Sequence, residues 1–149
     1  MRLLLIGCTG FIGSELLPRL LAAGHELTVI SRKPPSKFHK QLNSENVCFL
    51  QADPSQNSTW KENRIIEKLT GLDGIINLAG EPIAEKRWTK AHCKIIEESR
   101  LATTQGLMEA LNTISKPPKV LINASAIGFY GTSQKNYFNE ENEAGKDFL

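Results

Sequence analysis

The sequence predicts an α/β fold, a doubly wound parallel sheet with helices on both faces. Three observations predict it: an apolar run that ends in a glycine-rich turn, apolar strands that alternate with helical patterns, and small residues at the end of a strand. Strands and helices that alternate in this way form βαβ units, which build parallel sheets. The chain of 149 residues has the length of one domain, so we treat residues 1–149 as a single unit.

The first strand and the turn after it lie in the segment 2–13, RLLLIGCTGFIG, where Gly7, Gly10 and Gly13 follow an apolar run. Gly7 permits backbone angles that other residues avoid, and Gly10 lets a pyrophosphate approach the backbone N–H groups. Gly13 allows a helix to pack closely on the strand. The spacing G-x-x-G-x-x-G differs from the general dinucleotide fingerprint, but a strand precedes it and a helix and a second strand follow. We therefore expect a nucleotide site at this turn.

The first helix is predicted over residues 11–23, with Gly24 as its C-terminal stop. Apolar residues recur there at helical spacing and form one face: Ile12, Leu16, Leu17, Leu20 and Leu21. Pro18 falls inside the helix and removes one backbone hydrogen bond, so a bend or an irregular turn is expected at that point.

The second strand, residues 26–30, ends at Ser31 and Arg32. In a dinucleotide fold an acid about 20 residues after the glycine turn holds the ribose 2′-hydroxyl, whereas an Arg accommodates a 2′-phosphate. Arg32 lies nineteen residues beyond Gly13, and no Asp or Glu occupies this strand end. The sequence therefore favours NADP(H) over NAD(H) as the cofactor, and the alternative is a solvated basic loop.

The rest of the chain continues the alternation. Residues 36–46 are predicted as a loop, residues 47–51, 74–78 and 119–124 as strands, and residues 58–69 and 89–114 as helices. Asp53 follows the third strand, where the adenine edge of a nucleotide is expected. Ala79 and Gly80 follow the fourth strand and leave room for a cofactor across the sheet. Residues 81–88 form a loop beside the expected substrate cleft, and Trp60 is interpreted as a packing residue.

The predicted helix 89–114 carries a charge on its inward face. Arg100 falls within that stripe, so its side chain either snorkels to the edge, pairs with a carboxylate or binds a cofactor phosphate. The other residues of the stripe are Ile96, Thr103, Leu107, Ala110, Leu111 and Ile114.

Composition excludes several classes of partner. The chain has a formal net charge of +2 and 40% hydrophobic residues, so neither nucleic acid nor a membrane is expected as a partner. The opening apolar run is too short to span a bilayer and leads directly into the glycine turn, so a cytoplasmic location is expected. Cys8, Cys48 and Cys93 lack C-x-x-C spacing and the histidines lie far apart, so no metal site is expected.

Five motifs together resemble one known family. GCTGFIG, VISRKP, NLAGEPI, the Ser99-Arg100 pair followed by two threonines, and SAIGFYG occur in this order along nearly the whole chain. This pattern is similar to atypical short-chain dehydrogenases/reductases of the NAD-dependent epimerase/dehydratase-like family. That group includes nucleoside-diphosphate-sugar epimerase-like proteins and proteins described as cell-division inhibitors.

The resemblance implies a Rossmann fold with strand order 3-2-1-4-5 and an NADP(H) site. It implies that the cofactor contacts Thr9, Gly10, Phe11, Ile12, Ser31, Arg32, Leu78, Ala79 and Arg100. It also implies that Ser125 stands at the position of the catalytic serine of extended family members.

Two features depart from the pattern of the extended members. Phe148 stands where the catalytic tyrosine is expected, and a phenyl ring cannot transfer a proton. Tyr130 and Tyr137 are the alternative proton donors. The chain also has the length of about one domain where the family has about two, so we expect a truncated chain that lacks the substrate-binding portion.

Two functions remain open at this stage. The chain is either the NADP(H)-binding domain of an enzyme that moves a hydride between nicotinamide and a carbonyl or alcohol carbon, or a catalytically silent regulatory or redox-sensing protein. For the enzyme, a nucleotide-linked sugar is one candidate substrate. A small-molecule substrate of unknown identity and a homodimer are the expected partners.

Overall fold

Five short strands form the centre of the fold in the computed structural model, which describes residues 1–33 and 44–146. The strands are β1 (Arg2–Ile6), β2 (Glu26–Ser31), β3 (Val47–Gln51), β4 (Gly74–Asn77) and β5 (Val120–Asn123). They lie in the order β3-β2-β1-β4-β5, and all four neighbouring pairs are parallel. The predicted α/β fold and strand order are confirmed.

Helices cover both faces of this sheet. Successive side chains of β1 point to opposite faces, so each face presents apolar residues that need cover. Leu3 and Leu5 contribute to one apolar cluster, whereas Leu4 and Ile6 contribute to the other. Helix α1 (Phe11–Ala22) packs on the first cluster, and α2 (Asn63–Leu69) and α3 (Lys90–Leu111) pack on the second. Coverage on both faces explains why the central strands are almost wholly apolar.

The edge strand β5 is much less covered than the centre of the sheet. Val120 and Ile122 are 50% and 54% exposed, although their pairing partners on β4, Gly74 and Ile76, are more covered. The described residues therefore bury the sheet fully only around β1, β2 and β4.

Helix α1 differs from its prediction in two ways. It continues through Pro18 to Ala22, so no irregular turn interrupts it, and the alternative, a bend at Pro18, stays a prediction. Ile12 is 63% exposed, although it was expected on the buried face with Leu17, which is only 6% exposed. Ile12 lies in the first turn of α1, next to the glycine turn.

The predicted continuous helix over residues 58–69 is wrong. The chain forms a single 3-10 turn, Thr59–Lys61, and then begins α2 at Asn63. Glu62 between them has extended backbone angles, φ −70° and ψ 127°. The side chain of Thr59 donates to the Asp53 carbonyl oxygen at 2.7 Å, which anchors this turn to the loop after β3.

Helix α3 is shorter than predicted, and its inward stripe is confirmed except at two positions. The Thr89 hydroxyl caps the helix by accepting a hydrogen bond from the His92 N–H at 3.2 Å. Arg100 is exposed rather than buried with the other members, and its guanidinium reaches the Glu81 carbonyl oxygen, in agreement with an arginine that snorkels to the edge. Ile114 lies beyond the helix end and is only partly buried. The buried members are Ile96, Thr103, Leu107, Ala110 and Leu111.

Trp60 joins α3 to the loop after β3, in agreement with its interpretation as a packing residue. Its side chain is 2% exposed, and its indole N–H donates to the Pro54 carbonyl oxygen at 2.9 Å. A Cβ placed on Gly106 would lie 2.3 Å from Trp60 Cδ1. A side chain at position 106 would collide with the indole ring, so α3 needs glycine there.

We predict that Gly106→Ala lowers the free energy of unfolding by about 1 kcal/mol or more. Alanine favours a helix over glycine by about 1 kcal/mol, but overpacking a rigid buried ring costs roughly 1–3 kcal/mol and shifts the backbone as well. Urea unfolding measures the difference, with Glu97→Ala at an exposed position of α3 as the control. A Gly106→Ala variant more stable than the wild type would contradict this prediction. It would show that helix propensity outweighs the contact and that the Trp60 indole can shift at little cost.

Candidate functional site

The carboxyl ends of β1, β2 and β4 meet at one edge of the sheet because the three strands are parallel and adjacent. Ligands in open α/β sheets bind outside this edge. The segments that follow the three strands begin at Gly7, Arg32 and Leu78. They bring most of the predicted site residues together.

Two glycines bring the turn after β1 into direct backbone contact with its surroundings. Gly7 has φ +74°, and a Cβ there would lie 2.6 Å from the Ala79 nitrogen. A Cβ on Gly13 would lie 2.2 Å from the Cys8 Cα. Both positions exclude a side chain, so α1 packs directly on the turn.

Gly10 has a different environment, which leaves space for a ligand. It is the N-cap of α1, with extended backbone angles and no side-chain cap, and an added Cβ would meet only the Gly7 carbonyl oxygen, at 3.7 Å. The N–H groups of the first helical turn, at residues 11–13, lack partners within the helix and carry the positive end of its dipole. This arrangement is suited to an anion.

Three further residues of the turn surround this helix start. Phe11 and Ile12 are 91% and 63% exposed, and Thr9 is partly buried. Cys8 is buried, and burial raises the pKa of its thiol to about 12. The thiol therefore stays protonated near neutral pH and adds no negative charge beside the helix start.

Arg32 projects from the end of β2, as predicted. The Ser31 hydroxyl is buried and accepts a hydrogen bond from the Lys33 N–H at 3.3 Å, which shapes the chain reversal at this point. The Gln51 side chain donates to the Arg32 carbonyl oxygen at 3.3 Å. The Arg32 side chain is 59% exposed, so its guanidinium is accessible to a ligand.

Glu81 is a charged residue of the site that sequence reasoning missed. Its Oε2 lies 3.8 Å from Arg32 Nη2, and its Oε1 lies 3.2 Å from Lys86 Nζ. Its side chain is only 13% exposed, in contrast to the two cations. Arg32 and Glu81 lie 49 residues apart in the chain, so local sequence patterns could not pair them.

The backbone of Glu81 is held by α3. The Ser99 hydroxyl accepts a hydrogen bond from the Glu81 N–H at 2.9 Å, and Arg100 Nη1 donates to the Glu81 carbonyl oxygen at 3.2 Å. Arg100 also donates to the Ile96 carbonyl oxygen at 3.0 Å. A Cβ on Gly80 would lie 2.8 Å from Arg100 Cζ, so this glycine admits the guanidinium. Arg100 thus lies at the sheet edge, with backbone carbonyls as partners.

Asn77 and Asn123 form a second contact that sequence reasoning missed. They are register partners at the ends of β4 and β5, and Asn77 Nδ2 donates to Asn123 Oδ1 at 2.7 Å. Asn77 Oδ1 accepts a hydrogen bond from the Ala79 N–H at 3.1 Å, and the Leu78 N–H donates to the Ile6 carbonyl oxygen at 2.8 Å. The repeated Asn at both strand ends is the sequence signal that could have revealed it.

Asp53 lies two residues after β3 and has a local structural role. Its Oδ1 accepts hydrogen bonds from the Ser55 N–H at 3.0 Å and the Ser55 hydroxyl at 2.7 Å, which is an Asx turn. Its predicted position next to an adenine ring stays a prediction.

The predicted catalytic residues follow β5. Ser125 is exposed two residues beyond the strand. Tyr130 is partly buried in an aromatic cluster, stacked on Phe138 with centroids 5.8 Å apart and edge-on to Phe129 at 5.1 Å. Tyr137 is fully exposed. Phe148 lies outside the described residues.

The chemistry of this edge fits a dinucleotide. It combines an uncapped helix start, an open glycine and an accessible guanidinium. Within the described ranges, no three His, Cys, Asp or Glu side chains are grouped to hold a metal ion. No helix of the described part is long and apolar enough to cross a membrane.

Known proteins resemble this chain along almost its whole length. The SDR39U1 homolog of Arabidopsis thaliana, named as a chloroplastic epimerase family protein, is 34% identical over 145 residues, which cover 96% of this chain and 39% of that protein. Human epimerase family protein SDR39U1 is 34% identical over 148 residues, covering 97% and 43% of the two chains. This chain therefore spans less than half the length of these relatives.

A solved structure gives the same relationship in three dimensions. The crystal structure of human SDR39U1 (isoform2) with NADPH superposes with a TM-score of 0.74 at 32% identity, and the match covers 99% of this chain and 44% of that one. The sequence profile of the NAD dependent epimerase/dehydratase family matches residues 3–147. The chain belongs to the NAD dependent epimerase/dehydratase family.

Proposed function

We propose that this chain is the NADP(H)-binding portion of an oxidoreductase or epimerase-like enzyme. The observation that carries the proposal is the accessible Arg32 guanidinium at the same sheet edge as the uncapped start of α1. The first can bind a 2′-phosphate and the second a pyrophosphate. The NADPH in the crystal structure of human SDR39U1 supports the same choice.

Each part of the cofactor has residues suited to hold it. The N–H groups at residues 11–13 bind the pyrophosphate, which approaches over Gly10. Ser31 shapes the turn that presents Arg32 to the 2′-phosphate. The backbone at Ala79 and Gly80 forms the surface on the other side of the glycine turn, with Arg100 beside it. The loop at Asp53 flanks the adenine end.

The nicotinamide supplies the capacity to accept or donate a hydride. The substrate class is a carbonyl or alcohol carbon, and a nucleotide-linked sugar is the first substrate to test. Ser125 orients the substrate oxygen, because it follows β5 at the same edge of the sheet and its side chain is exposed. Tyr130 is the candidate for holding the proton that accompanies the hydride.

A catalytically silent dinucleotide-binding regulator is the second candidate, favoured by Phe148 at the expected tyrosine position. NADPH oxidation by a protein that contains the remaining family length separates the two functions. The enzyme predicts a loss of nicotinamide absorbance with at least one carbonyl compound or nucleotide-linked sugar. Tight binding of NADPH without oxidation across such a panel would support the silent regulator instead.

For cofactor choice, we predict that Arg32→Ala weakens NADPH binding by roughly tenfold or more, because hydrogen bonds to charged groups contribute about 1.5–3 kcal/mol. NADH lacks the 2′-phosphate, so its dissociation constant should change little. Titration of the nicotinamide fluorescence of both nucleotides measures the two constants on the chain as printed.

Two control variants make the Arg32 experiment specific. Lys33→Ala removes the neighbouring exposed cation and should leave the preference for NADPH intact. Gly10→Ala fits the extended backbone but fills the approach to the helix start, so it should weaken both nucleotides alike. An Arg32→Ala variant that loses NADPH and NADH equally would contradict the assignment of Arg32 to the 2′-phosphate.

A further inference from the structure

The adenosine end of the proposed site contains an acid, Glu81, that follows β4 rather than β2. Strands β2 and β4 both pair with β1, and Ile6 is aligned with Ile30 on one side and Asn77 on the other. Arg32 follows β2 and Glu81 follows β4, so they reach over the glycine turn from its two sides. Their charged groups come within 3.8 Å of each other.

Lys86 lies closer to the Glu81 carboxylate than Arg32 does. Lys86 Nζ is within hydrogen-bond distance of Oε1 at 3.2 Å, whereas Arg32 Nη2 is 3.8 Å from Oε2, beyond that distance. The ion pair is weak because the Arg32 side chain is exposed. A more highly charged anion can therefore displace the carboxylate from the guanidinium. Lys86 then continues to balance the charge of Glu81.

The backbone of Glu81 is held independently of Arg32, and Lys86 contacts its carboxylate as well. Ser99 and Arg100 hold the N–H and the carbonyl oxygen of Glu81, and the side chain is 13% exposed. When a phosphate binds Arg32, the carboxylate therefore remains close to it and repels it. A ribose hydroxyl at the same place can instead donate a hydrogen bond to the carboxylate.

Given the NADP(H) site proposed above, we propose that Glu81 is a specificity-determining residue that reads the 2′ position of the adenosine ribose. It competes with the 2′-phosphate of NADP(H) for Arg32, and it accepts a hydrogen bond from the 2′-hydroxyl of NAD(H). Acids that read this hydroxyl usually stand at the end of the second strand, where this chain has Arg32. Glu81 supplies the acid from the loop after β4, so the chain reads both nucleotides.

Glu81→Gln tests this role because it removes the charge and preserves the backbone contacts. The dissociation constant of NADPH should fall by about threefold to tenfold, since the competitor for Arg32 is neutral. The dissociation constant of NADH should rise by a similar factor, since a charged acceptor is replaced by a weaker neutral one. Opposite changes for the two nucleotides are the expected signature, and Glu81→Ala should give the same signs.

The control is Glu85→Gln, which makes the same charge change at an exposed position of the same loop and should leave the ratio of the two constants within about twofold. Equal weakening of NADPH and NADH in Glu81→Gln would show a purely structural role and overturn the inference while the proposed cofactor site stands. Weaker NADPH binding alone would show that Glu81 positions Arg32, which also overturns it. If neither nucleotide binds the wild-type chain, the proposed function and this inference both fail.

Discussion

Backbone contact between α1 and the turn after β1 positions the rest of the site. Gly13 lets the helix lie against Cys8, and Gly7 lets the turn lie against Ala79, at separations that no Cβ allows. The start of α1 is thereby fixed at the sheet edge, where the segments after β2 and β4 also arrive. The anion-binding geometry follows from packing, and it requires no charged side chain of its own.

Charge at this edge comes from the neighbouring strands. Arg32 and Lys86 lie beside the carboxylate of Glu81, and Arg100 donates to the backbone carbonyl oxygen of the same residue. Three cationic side chains therefore lie around one acid at this edge. Such an edge attracts a phosphorylated ligand. On the proposal made for Glu81, the balance between Arg32 and Glu81 sets which dinucleotide is preferred.

The sequence predicts the strands and the glycine turn because both depend on local signals, the apolar runs and the spacing of Gly7, Gly10 and Gly13. The strand order was expected from the family resemblance alone. It does not predict the contacts between segments distant in the chain. Glu81 meets Arg32, and Asn77 meets Asn123, only after the parallel strands bring their ends together. The turn at Thr59–Lys61 escaped prediction for a similar reason, because the loop after β3 holds it through Thr59 and Trp60.

The proposed roles of Arg32 and Glu81 depend on a dinucleotide that binds at the carboxyl edge of β1, β2 and β4. An NMR titration of the ¹⁵N-labelled chain with NADPH locates the binding surface through backbone amide shifts. The largest shifts are expected at residues 10–13, at Arg32 and at residues 79–81. Shifts concentrated at the opposite edge, around Glu26 and Asp73, or no saturable shifts at all, would contradict it.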